Sequence, residues 1–134
     1  MKKDLPENIV KDIAIAVVLE SESPGSKSWN VYLVNLKDHP IQTVLVSSKG
    51  YGLKDGQEVK TSILRHSIGN LGAMDFKLIE AIDEQVFGLT NEYWLSYYIN
   101  DVIYDKKYTF LPESIVESNL MRIPVVNKPG VMIR

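Results

Sequence analysis

The stretch that decides the fold is Glu92–Phe110, EYWLSYYINDVIYDKKYTF, which holds five of the chain's seven tyrosines and one of its two tryptophans. Two apolar and aromatic runs flank Asn100-Asp101. Asn accepts the positive φ of a type I′ turn and Asp does so nearly as well, so the run is expected to fold back on itself as a hairpin with a two-residue loop. That loop sets a register in which Tyr93 faces Tyr108, Tyr97 faces Tyr104 and Ile99 faces Val102. Side chains alternate along a strand, so these residues share one face with Leu95 and Phe110, a face too apolar for water and expected to be core. On the other face Trp94 meets Lys107, Ser96 meets Asp105 and Tyr98 meets Ile103. Trp94, Tyr98 and Lys107 there form the candidate binding surface, with Lys107 able to lie over the indole. The competing expectation is that a loop, the C-terminal tail or a second copy of the chain covers them.

Outward from the hairpin the same alternation recurs in short segments separated by Gly, Pro, Asn, Asp and Ser. Asp12–Glu20 is apolar on both faces, which predicts a strand covered on both sides. Trp29–Leu36 and Ile41–Ser48 flank KDHP and read as a second hairpin; Glu58–Ile68, ending near Arg65, and Asp75–Ile82 read as further strands. SESPGSKS (Ser21–Ser28) and the glycine-rich KGYGLKDGQ (Lys49–Gln57) read as long connecting loops. LPENIV from Leu5 and LPESIV from Leu111 each set a Pro and a Glu where a first helical turn wants them. Leu120–Arg134 predicts an edge strand and then a tail that packs on the body or pairs with another chain. Seven to eight antiparallel strands with one or two short helical turns make an all-β, two-layer sandwich, immunoglobulin- or fibronectin-III-like, with a closed barrel as the alternative.

Composition narrows the function. The chain has 134 residues, 45% of them hydrophobic and 24% charged, which predicts one globular domain rather than disorder. A net charge of −2 offers no overall field for phosphate backbones or anionic lipid, so neither nucleic acid nor a membrane is an expected partner. With no cysteine there is no disulfide or thiolate chemistry, and a cytoplasmic location is expected. No cofactor and no metal site is expected, because two histidines and scattered carboxylates form no ligand motif.

Two other groupings bear on function. Lys49, Tyr51, Arg65 and His66 surround the glycine-rich segment and could form an anion or small-molecule pocket, although neighbours on one strand send Arg65 and His66 to opposite faces. Glu80, Asp83 and Glu84 lie close together and are expected to face water. Nucleophile elbows, P-loops and zinc-protease motifs do not occur in the sequence, which points away from an enzyme.

The blocks SSKGYG, KTSILRH and LTNEYWLSYYINDVIYDKKYTF followed by LPESI resemble a family of small uncharacterised bacterial proteins, over the chain from about Val31 to its end. Members of that family sometimes carry the label of a phenylalanyl-tRNA synthetase subunit. This sequence has neither the arginine-anchored ATP motif nor the glycine-rich motif of a class II synthetase, so the resemblance implies no activity and no catalytic residues. Two functions stay open: a non-enzymatic module that binds a protein partner or itself, or a small enzyme or ligand binder built on Lys49, Arg65 and His66.

Overall fold

A computed structural model of the chain describes residues 8–134 and shows two antiparallel sheets packed face to face. Its strands are β1 (Ile13–Ser23), β2 (Ser26–Asn35), β3 (Ile41–Lys54), β4 (Gln57–Lys60), β5 (Leu64–Leu71), β6 (Asp75–Ile82), β7 (Thr90–Ile99), β8 (Val102–Phe110), β9 (Met121–Arg122) and β10 (Pro129–Ile133). The first sheet has the order β6-β2-β1-β10-β9. In the second, β3 carries β7 and then β8 along one edge, with β5 and β4 along the other. Among the described residues no helix is long and apolar enough to cross a membrane.

The β7–β8 hairpin has the expected register throughout. Asn100 and Asp101 take φ of 48° and 65°, the type I′ geometry. Tyr93 pairs with Tyr108, Trp94 with Lys107, Tyr97 with Tyr104 and Ile99 with Val102. Tyr93, Leu95, Tyr97, Tyr108 and Phe110 are buried between the sheets against Ile13, Ile15, Val17, Leu33 and Ile41. Each such side chain contributes about 1.5–3 kcal/mol by leaving water.

Several connections differ from their sequence reading. β2 and β3 belong to different sheets, so KDHP is a crossover rather than a hairpin turn. Buried Asn35 holds it, donating to the carbonyls of His39 (3.1 Å) and Gly72 (2.9 Å) and accepting from Lys37 N (2.9 Å). SESPGSKS is largely strand: β1 and β2 stay paired out to Ser23 and Ser26, leaving only Pro24 and Gly25, at φ 78°, as the turn. The glycine-rich segment is likewise strand, since β3 runs on to Lys54 and turns through Asp55-Gly56 into β4. The strand read as Glu58–Ile68 breaks between Lys60 and Leu64, where Thr61 N turns back to Gly50 O (2.8 Å).

The helical turns also fall elsewhere. LPES at Leu111 is a β-turn closed by Ser114 N donating to Leu111 O (3.1 Å), with Glu113 at φ 61°. Short 3₁₀ turns occupy Glu84–Val86 and Glu117–Asn119 instead. The turn read at Leu5 begins outside the described residues.

The covered strand β1 finds its second cover in the C-terminal segment. Ala14, Ala16 and Val18 on the outer face of the first sheet pack with Tyr32, Val34, Ile123 and Val126 in a second small core. Beyond that cover β10 pairs with β1, so the tail packs on the body. Lys128 reaches Glu20 at 2.7 Å, and Asn30 and the Tyr32 hydroxyl donate to the same carboxylate. Burial works to raise the Glu20 carboxyl, but the hydrogen bonds from Lys128, Tyr32 and Asn30 together hold it below its ordinary value.

Two measurements test this packing. A Cβ on Gly130 would stand 2.5 Å from the Val17 carbonyl oxygen and 2.9 Å from Ile123 Cγ1. Gly130→Ala is therefore expected to destabilise the protein by about 1–3 kcal/mol in denaturant unfolding, and an unchanged midpoint would show that β10 does not cross β1 this closely. Burial raises the phenols of Tyr93, Tyr97 and Tyr108, that of Tyr97 to about 12 with Tyr104 adding to the effect. The folded state thus holds these protons more tightly than the unfolded chain, whose tyrosines ionise near pH 10. Each contribution is complete below about pH 10; that of Tyr97 is lost as the pH rises towards about 12, and those of Tyr93 and Tyr108, raised further, are lost at higher pH. Phenolate absorbance should therefore rise for these side chains only together with alkaline unfolding.

Candidate functional site

The outer face of the second sheet is built by the alternation that fills the core. Each residue between two inward side chains of β3, β5, β7 or β8 points away from the first sheet, and the strand register lines these outward residues up in rows. Arg65 pairs with Ser47, Ser47 with Trp94, and Trp94 with Lys107, so one row crosses four strands. At about 4.8 Å per strand step the row spans roughly 14 Å. In the next row Lys49 pairs with Glu92. Trp94 is 50% exposed and Tyr98 38%, so both present a large part of their rings on this face.

A shallow groove of about 400 Å³ runs beside this row, lined by Lys49, Ile63, Arg65, Glu92, Trp94 and Lys107. A wider one of about 830 Å³ continues it along the β3–β4 hairpin past Tyr51, Leu53 and Lys60. The structure therefore gathers Lys49, Arg65, Trp94 and Lys107, drawn from both sequence-derived sets, on one surface. Tyr98 lies on the same face further along β7, opposite Ile103. Lys107 does not take the position over the indole that the sequence allowed: its ammonium is 3.9 Å from Glu92. The lysine over a ring on this face is Lys49, 5.7 Å from the Tyr51 centroid. The Glu92 carboxylate beside Tyr51 raises that phenol above its ordinary value.

His66 leaves this group. Its neighbour Arg65 points outward, while the imidazole enters the space between the sheets and its Nε2–H donates to Glu80 Oε1 at 2.7 Å. Ser48 donates to the same oxygen at 2.7 Å, and the Tyr93 hydroxyl to Oε2 at 3.0 Å. Burial and the nearby Glu80 carboxylate push the Tyr93 phenol far up. The carboxylate is the hub of this cluster. Ser48 donates to Glu80 rather than to His66, so the three side chains lack the serine-to-imidazole contact that activates a nucleophile.

Comparison with protein-family models, curated proteins and solved structures finds no match to the chain.

Glu80 is the residue that the sequence misplaced. Strict alternation puts it with Phe76 and Leu78, which are exposed. In β6, however, Glu80 pairs with Val31 and Leu78 with Tyr32, so Ile79 is an extra residue in a β-bulge. Such a bulge re-aims the side chains beyond it, and Ile79 and Glu80 both turn inward. Among the described residues no group of three or more metal-ligating side chains forms.

The two sites matter unequally for stability. Glu80→Ala leaves the Ser48, His66 and Tyr93 donors without their acceptor and is expected to cost about 2–4 kcal/mol. Arg65→Ala on the open face is expected to change stability by less than about 0.5 kcal/mol. Urea unfolding of the two variants checks both values, and equal effects would mean that Glu80 is not held as described.

Proposed function

We propose that the chain is a non-enzymatic interaction module that binds an acidic, extended segment of a partner protein across the outer face of its second sheet. The observation that carries this reading is the row Arg65–Ser47–Trp94–Lys107, with Lys49 beside it, on a chain whose net charge is −2. Cations concentrated around a half-exposed tryptophan on an otherwise acidic protein form a local field that acidic ligands complement. Among the described residues Glu92 is the one carboxylate lining the groove of about 400 Å³, against Lys49, Arg65 and Lys107.

The physical reasons favour binding over catalysis. Trp and Arg are the residue types that dominate interface energies, because large, rigid or pre-organised groups lose little entropy on docking. Among the described residues, the serine–histidine–carboxylate group of Ser48, His66 and Glu80 is wired through the carboxylate. The pairing of β2 with both β1 and β6, and of β7 with both β3 and β8, supports an immunoglobulin-like arrangement, to which β9 and β10 add a C-terminal extension on β1. Sandwiches of that kind serve widely as scaffolds for recognition. The expectation of a reducing, cytoplasmic setting stays with the cysteine-free composition.

The test uses Trp94 itself. Trp29 is buried while Trp94 is exposed, so burial of Trp94 by a ligand should shift the fluorescence emission to the blue. Titration with a library of Glu- and Asp-rich peptides is expected to give that shift, and added salt to weaken it. Trp94→Ala should reduce affinity about 30-fold, measured by peptide anisotropy, and the charge reversals Arg65→Glu and Lys107→Glu by at least about tenfold each. Equal binding of basic peptides, or acidic-peptide binding that survives these substitutions, would refute the reading.

A further inference from the structure

On the inner side of the same strands, where β6 of the first sheet approaches β3 and β7 of the second, lies a cavity of about 210 Å³. The Glu80 carboxylate forms part of its lining, and Leu64, Ile82 and Val86 give it apolar walls. Its volume is below the roughly 300–1,000 Å³ of pockets for drug-sized ligands, so any ligand is small.

The chemistry of the lining selects the ligand's sign. A carboxylate has about four lone-pair positions; Ser48, His66 and Tyr93 fill three of those of Glu80. Asn91 is buried and spends its amide N–H groups on the carbonyls of Val86 (2.9 Å) and Leu89 (3.2 Å). Its Oδ1 has no hydrogen-bond partner among the described residues and lies beside Gly50, 3.1 Å from where a Cβ there would stand. Asp83 adds a second carboxylate to the lining, its Oδ1 already accepting from Gln85 N (2.8 Å). The one lysine of the lining, Lys49, commits its ammonium to the Tyr51 ring on the other face. Apart from the Ser62 hydroxyl, the side-chain hydrogen-bonding capacity left free in the lining is that of acceptors, on the Glu80 and Asp83 carboxylates and Asn91 Oδ1, against an apolar wall.

We propose that this cavity is a binding site for a small organic cation, an alkylammonium of a few carbons. Its ammonium donates to the Glu80 carboxylate and the Asn91 carbonyl, and its alkyl chain lies against Leu64, Ile82 and Val86. Gly50 keeps the space open: a side chain at this position would meet Asn91 and Thr61. The site lies on the inner side of β3 and β7, opposite the acidic-peptide surface, and Ser48, Lys49, Gly50 and Thr61 also line the grooves of that surface.

Two-dimensional ¹⁵N–¹H NMR of the full chain tests it with n-butylammonium, 1-butanol and butyrate. The expected result is saturable shifts at Ser48, Glu80 and Asn91 with n-butylammonium, at least about tenfold weaker binding of 1-butanol, and no response to butyrate. Glu80→Gln and Gly50→Ala should each weaken n-butylammonium by about tenfold or more. If Glu80→Gln fails to fold, Gly50→Ala, which keeps the carboxylate, carries the comparison. Butanol binding as tightly as n-butylammonium, or no shift at these residues at millimolar n-butylammonium, would overturn the proposal.

Discussion

The constraint on which this structure turns is the need to satisfy one largely buried carboxylate. Glu80 belongs to the first sheet, and all three donors that hold it, Ser48, His66 and Tyr93, belong to the second. A charged hydrogen bond contributes about 1.5–3 kcal/mol, and an unpaired buried charge costs several. Hydrophobic packing between two sheets tolerates sliding, because it has no direction. Three bonds to one carboxylate do not, so Glu80 fixes how β6 sits over β3, β5 and β7. The cavity beside it and the placement of His66 result from that position.

Much of this was legible in the chain. The β7–β8 hairpin follows from Asn100-Asp101 and strict alternation, and with it the division of the aromatic residues into buried Tyr93, Tyr97 and Tyr108 and exposed Trp94 and Tyr98. The two apolar faces of β1 likewise announced two covers. Other features depend on pairings that local pattern does not carry. KDHP has good turn chemistry, but turn chemistry does not say whether the next strand joins the same sheet. The polar residues of SESPGSKS look like loop because a two-stranded ribbon reaching past the body has nothing to bury. Glu80 was out of reach for a sharper reason: one extra residue, Ile79, reverses the face of the residues after it, and nothing in DFKLIEAI marks where the extra residue falls.

The same alternation explains why the two candidate sites stand back to back. Ser48 and Gly50 point into the sandwich while Ser47 and Lys49 point out, and Tyr93 and Trp94 divide in the same way on β7. Arg65 and His66, adjacent in sequence, go to the cationic surface and the carboxylate respectively. The sheet is thus one layer with two chemistries, cations around an aromatic ring outside and acceptors on an apolar wall inside. A single substitution on β3, β5 or β7 tests one face while leaving the other's side chains in place.

The most direct test of the Glu80 constraint is the state of the His66 ring in solution, read by ¹⁵N–¹H NMR correlation of its imidazole nitrogens. The geometry predicts a proton on Nε2, protected from exchange and shifted downfield by its bond to Glu80, and loss of that signal in Glu80→Ala. A bare Nε2, or a ring whose proton exchanges as freely as that of an exposed histidine, would contradict the account.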